Sequence, residues 1–270
     1  MPKSRSNQAA TVYAGPLTLR YEAAALTSKQ ASTFAALAAR GIREIRRFLA
    51  LGPSAAEIRI EVSENAQISA TRGRTIQLPG HRVRSGTAPY LHEIVHALLP
   101  CRQAPLWFSE GLACYVESAV AERGGGYDSG LFAARGNAGV NADAVRWLGD
   151  PRGRAVLWFV GTRGMPPRLA EDRLNVAAPF YVLSHSLVKF IAQRVSIHKL
   201  AGAARASRFA RAVRRATGRT MPQWRDLWLS VVETKDGGHG QCSSDHGNLR
   251  ERSCRHSNTR KPKGPTAAKH

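Results

Sequence analysis

The chain has 270 residues and carries 40 Lys+Arg against 19 Asp+Glu, a formal net charge of +21. That length is enough to bury a real core, and a hydrophobic fraction of 43% excludes a wholly disordered chain. Four cysteines are too few for a disulfide scaffold, and no apolar run nears the roughly 18 residues that cross a bilayer.

Residues 1–14 hold basic groups with no apolar stretch behind them. They read as a flexible N-terminus and not as a secretory signal, which makes the cytoplasm the default compartment. Residues 16–22 and 57–63 alternate apolar and polar side chains, as half-buried strands do. Between them Phe34, Leu37, Ala38, Ile42, Ile45 and Phe48 recur at helical spacing, opened by Thr27 or Ser28 and closed by Gly52-Pro53. A short strand follows around Thr75 to Leu78. Two apolar helical stretches come next, roughly 87–99 and 108–122, divided by Pro100 and Pro105. Residues 123–176 hold 10 glycines and read as a variable region of loops, with short helices near 142–148 and 155–160. Helical periodicity returns at 179–194 and continues in pieces to about Val232. From 235 to 270 the apolar content collapses, which predicts a disordered basic tail after a single domain at 15–234.

The chemistry is concentrated in Leu91-His92-Glu93-Ile94-Val95-His96. Two histidines four residues apart on a helix project from one face, one turn apart, and can reach a single ion about 2 Å from each nitrogen. Glu93 adjoins that position. A catalytic zinc site needs a third protein ligand as well as an open position. A glycine three residues beyond His96 and a histidine six beyond would supply one solution, but Leu99 and Arg102 stand there. Glu110 lies 14 residues after His96 in a second helical segment, and a turn through Pro100–Pro105 would fold it back beside the first.

This motif, followed by Pro105-Leu106-Trp107-Phe108-Ser109-Glu110-Gly111-Leu112-Ala113, resembles the gluzincin zinc metallopeptidases, in particular the peptidase MA-like branch. The resemblance extends through Tyr181 to Phe190 and to Trp224–Trp228. It implies an α+β, zincin-like (thermolysin-type) domain, with a small mixed sheet over the metal-binding helix and a helical second half. It also implies one Zn2+ per chain on His92, His96 and Glu110, with Glu93 as general base toward a peptide or protein substrate. Tyr181 or His185 would then donate to the oxyanion, Tyr181 being preferred. The strand at Arg74 to Leu78 would be the sheet edge beside which the substrate lies. One position departs from the family: Cys114 stands where an aspartate often orients a metal histidine, so that support must come from a backbone carbonyl or from Glu117.

Plainer readings stand beside these. The two histidines could merely pack in a helix, and the site could be a degenerate one that keeps the fold without turnover. Cys101 and Cys114 read as small buried apolar residues, and Trp107 and Phe108 as core. His81 with Arg72, Arg74, Arg82 and Arg84 reads as a solvated face, whose functional version is a bias toward acidic substrates. Cys242, His246, Cys254 and His256 match no closed zinc template.

The positive charge invites a different class of function, a basic protein that binds polyanions or nucleic acid on a zincin-like scaffold without turnover. The tail carries 8 Lys+Arg and 3 Asp+Glu, so most of the excess is spread over the domain. It forms no basic helix stripe and no nucleic-acid motif, which argues against a specific nucleic-acid partner.

Overall fold

A computed structural model of the chain describes residues 9–52, 56–124, 136–162, 164 and 176–234. The first half builds a five-stranded sheet in the order β1-β2-β3-β5-β4. Its strands are β1 (Ala9–Ala14), β2 (Leu17–Glu22), β3 (Ile58–Ser63), β4 (Ala70–Arg72) and β5 (Thr75–Pro79). Strands β2, β3 and β5 run parallel, while β1 and β4 pair antiparallel at the two edges. Residues 9–14, assigned above to a flexible N-terminus, instead form β1 and pair along their whole length with β2. The segment escapes a sequence reading because small residues blur its alternation.

In register, Leu19, Ile60 and Ile76 form one apolar row and Tyr21, Val62 and Leu78 a second, all of them buried. Arg20, Arg59 and Gln77 alternate with them and are exposed, so the sheet is one-sided. Helix α1 (Ser28–Phe48) opens on a capping box between Thr27 and Gln30 and buries Phe34, Ala38, Ile42 and Ile45. The short α2 (Gly80–Arg84) follows β5 directly, and α3 (Tyr90–Leu98) lies beyond it. Phe34 of α1 meets Tyr90 of α3 edge-on, with ring centroids 5.4 Å apart, which ties α3 to the layer beneath the sheet. On the basic face, Arg84 grips both oxygens of Glu64, and Arg74 donates to the Ala56 carbonyl.

The second half is helical: α4 (Leu106–Gly124), α5 (Gly136–Gly149), α6 (Pro151–Leu157), α7 (Ala177–Ala192), α8 (Ile197–Ala204), α9 (Phe209–Thr217) and α10 (Met221–Thr234). Helices α4 and α7 pack at its centre. A Cβ at Gly111 would stand 2.4 Å from the Ser184 carbonyl oxygen, so only glycine allows this approach. The two short helices expected near 142–148 and 155–160 are present but start earlier: α5 begins at Gly136, and α6 opens at Pro151 with Asp150 as its cap and ends at Leu157, followed by a turn through 158–162. Among the described glycines, Gly139 and Gly153 lie inside these helices, Gly136 and Gly149 at the ends of α5, and Gly161 and Gly164 beyond α6. Residues 125–135, 163 and 165–175 lie outside the described residues. So does the whole 235–270 tail, with Cys242, His246, Cys254 and His256. Among the described residues no helix is long and apolar enough to cross a membrane.

Candidate metal centre

Helix α3 presents His92 and His96 one turn apart, while Leu91, Ile94 and Val95 anchor it in the core. Pro100 ends the helix, a turn closed by Ala104 N–H on the Cys101 carbonyl reverses the chain, and α4 starts at Leu106. Trp107 and Phe108 are fully buried, and Trp107 Nε1 donates to the Thr162 carbonyl at 2.7 Å. That anchorage leaves Glu110 facing α3.

The three side chains converge. His92 Nε2 lies 3.0 Å from Glu110 Oε2 and 3.1 Å from His96 Nε2, and His96 Nε2 is 3.4 Å from the same carboxylate oxygen. Three atoms bonded to one tetrahedral zinc at about 2.0–2.1 Å would stand about 3.3 Å apart, so the triangle has the size that such an ion requires. Hydrogen bonds serve it less well. Its three edges share at most two Nε2 protons, and if both are present the N–H groups point at one another. Among the described residues this is the one cluster of at least three metal-ligating side chains.

The far nitrogens agree with ligation through Nε2. His96 Nδ1 meets Ser109 Oγ at 3.3 Å. His92 Nδ1 faces Cys114 Sγ at 3.7 Å and the fully buried Glu117 Oε2 at 3.8 Å. A carboxylate seven residues beyond Glu110 therefore stands near the imidazole that Cys114 serves poorly. Burial pushes the Cys114 thiol up to about 11. Burial also disfavours the protonated form of His92, but contacts with Cys114 and Glu110 outweigh it and hold the imidazole pKa well above its ordinary value. For Glu110 burial opposes ionisation, and hydrogen bonds to His92 and His96 hold the carboxyl far below the usual range all the same. Both directions describe a site that stabilises positive charge beside Glu110.

A cleft of about 450 Å³ opens over the cluster, lined by His92, Glu93, His96, Glu110, Tyr181 and, from β4 and its flanks, Ser69, Ala70, Thr71 and Gly73, among others. Glu93 is 7% exposed, and Thr71 Oγ1 donates to its Oε2 at 2.6 Å. The sheet edge at the cleft is β4, not the strand around Arg74 to Leu78, because β5 is enclosed between β3 and β4. Gly73, at φ +63°, makes the tight turn that brings β4 to this position.

The structure separates the two oxyanion candidates. Tyr181 of α7 lines the cleft, its ring centroid 6.1 Å from that of His92. His185 is 2% exposed and is not part of the cleft wall; its Nε2 bonds Asn137 Oδ1 at 2.7 Å. Burial, with the Lys189 charge and then that of His92, pushes the His185 imidazole down to about 3. Sequence reasoning missed Thr71 and Ser109. Thr71 belongs to a strand of 3 residues, too short for any alternation to show. Ser109 does adjoin Glu110, but nothing in its spacing marks it. Cys101 also lines the cleft, its thiol raised to about 11 by burial.

Neither a family model nor a curated relative matches the chain. Among solved structures it is similar to an M1 zinc metallopeptidase mutant from Deinococcus radiodurans, bound to a Tyr-Ser-Ala substrate. The TM-score is 0.44 at 16% identity, over 82% of this chain and 51% of that one, so this chain spans about half of that chain's length. At that distance no chemistry carries across. The functional reading rests on the side chains of the cleft.

Proposed function

We propose that the protein is a zinc-dependent metallopeptidase with a zincin-like domain, hydrolysing peptide bonds in the cleft between β4 and α3. The observation that carries this reading is the convergence of His92, His96 and Glu110 within one cleft that also holds Glu93. The donor set, two imidazoles and a carboxylate, is one that zinc takes in catalytic sites, and bound there it would polarise a carbonyl and lower the pKa of water. Glu93 then serves as general base: it takes a proton from the attacking water and delivers it to the departing amine as the C–N bond breaks. Thr71 holds that carboxylate from the side. An extended peptide pairs its main chain with the β4 edge, and the Tyr181 phenol donates to the oxygen on which negative charge develops.

The test compares zinc content and peptide-library digestion for the native chain, Glu93→Gln and Glu110→Ala. About one zinc per chain is expected in the first two and little in the third. Cleavage should fall by about 1,000-fold or more in Glu93→Gln. A native protein that takes up no stoichiometric zinc would sink the proposal, as would a Glu93→Gln protein that cleaves normally.

A further inference from the structure

Arg102 sits in the turn between α3 and α4 and lines two cavities at once: the metal cleft, and a second hollow of about 580 Å³ beside it. The far side of that hollow carries Arg208, Phe209 and Arg211. Phe209 packs on Phe108 with ring centroids 4.7 Å apart, and Phe108 lies two residues before Glu110. The arginines flanking Phe209 are thereby held at a set position relative to the metal ligands. No aspartate or glutamate is among the described residues lining this hollow. In the metal cleft the acids are Glu93 and Glu110, both already engaged in the chemistry. Arg102, Arg208 and Arg211 are exposed, and among the described residues none of the three pairs with a carboxylate.

We propose that Arg102, Arg208 and Arg211 form an anion-recognising subsite continuous with the metal cleft, so that the peptides acted on carry acidic side chains close to the bond presented to Glu93. This rests on the hydrolase reading of the cleft. Three guanidiniums around one hollow repel one another, and an anion between them relieves that repulsion while accepting paired N–H donors. Because Arg102 belongs to both walls, an extended chain leaving the cleft on that side passes directly among the arginines. An acidic peptide fits better than a nucleic acid: the hollow opens into the cleft proposed to hold a peptide bond, and Phe209, the one aromatic among its described lining residues, is buried against Phe108 instead of offering a face for base stacking.

The experiment uses matched peptides, selected from the library digest, with Glu or Gln at the positions flanking the cleaved bond. With zinc-loaded protein the Glu peptides should be cleaved with kcat/KM at least about tenfold above the Gln peptides, and raising salt should shrink that ratio. In Arg208→Glu/Arg211→Glu the ratio should fall to about one or invert. Arg43→Glu/Arg59→Glu makes the same charge change elsewhere and should keep it. A parallel arm measures binding of the labelled peptides to zinc-loaded Glu93→Gln protein by fluorescence anisotropy. If the native protein cleaves nothing, but Glu peptides bind about tenfold tighter than Gln peptides through Arg208 and Arg211, the subsite stands and the hydrolase reading fails. Equal cleavage and equal binding of the two peptide sets overturn the subsite. A preference that survives Arg208→Glu/Arg211→Glu also overturns it, as does tighter binding of a single-stranded oligonucleotide than of any acidic peptide.

Discussion

The Thr71 hydroxyl reaches Glu93 Oε2 at 2.6 Å, so this carboxylate, the proposed base, is steadied from the sheet edge and not from its own helix. A hydrogen bond to a charged group is worth about 1.5–3 kcal/mol. Thr71→Val should therefore lower kcat about tenfold or more with zinc content unchanged, and Thr71→Ser should restore most of it; steady-state kinetics beside metal analysis decides. Glu117 stands 3.8 Å from His92 Nδ1. Glu117→Gln keeps the volume and removes the charge, so zinc affinity measured by chelator competition should fall about 10–100-fold. His185 gives a pH dependence of stability. Its imidazole is depressed to about 3 in the folded chain, against an ordinary value near 6.5 when unfolded. Between those values the unfolded state binds the extra proton, so stability rises with pH across the window and is lost as pH falls from about 6.5 toward 3. The loss reaches at most about 1.4 kcal/mol per pH unit, and denaturant melts of His185→Gln should show a shallower slope.

At the scale of elements, α4 is where the sequence pattern and the packing diverge. It is buried on several sides, so no single apolar stripe marks it, and its partner α7 is distant in sequence. Gly111 sets their separation. Gly111→Ala would force a methyl against the Ser184 carbonyl and should cost about 1–3 kcal/mol in denaturant melts, with weaker zinc binding because Glu110 is the preceding residue. Helices α1, α3 and α7 and strands β2, β3 and β5 were legible within a few residues, because their apolar periodicity is also their burial pattern. Strand β1 and the three-residue β4 were not, since their place depends on neighbours that no local alternation reveals. In the glycine-rich stretch the two short helices were legible, but α5 starts several residues before 142 because tertiary packing outweighs a weak local preference against helix.

For the whole molecule, the cluster joins a helix under the sheet to the first helix of the other half, so a cation there adds a bridge between two layers that already pack together, as Phe48 does on Tyr115. Zinc that binds only the folded chain should raise the thermal midpoint, by the equivalent of about 2.7 kcal/mol at 100 times its dissociation constant. Removing the metal with a chelator should reverse the rise. In Glu110→Ala calorimetry should show little zinc-dependent shift, because a bridge needs both ends.

His92, Glu93 and His96 were readable as a unit because four residues along a helix is a fixed distance, and the sequence by itself determined that much. Glu110 was readable as a partner only if the turn at Pro100–Pro105 brought it back, and the packing of Trp107 and Phe108 does so. Tertiary structure alone decided that β4 is the strand at the cleft, that Thr71 holds Glu93, and that Tyr181 lines the cleft while His185 lies buried against Asn137. The physical reason is common to all three. Each depends on contacts between segments far apart in the chain, and local periodicity carries no information about distance through space.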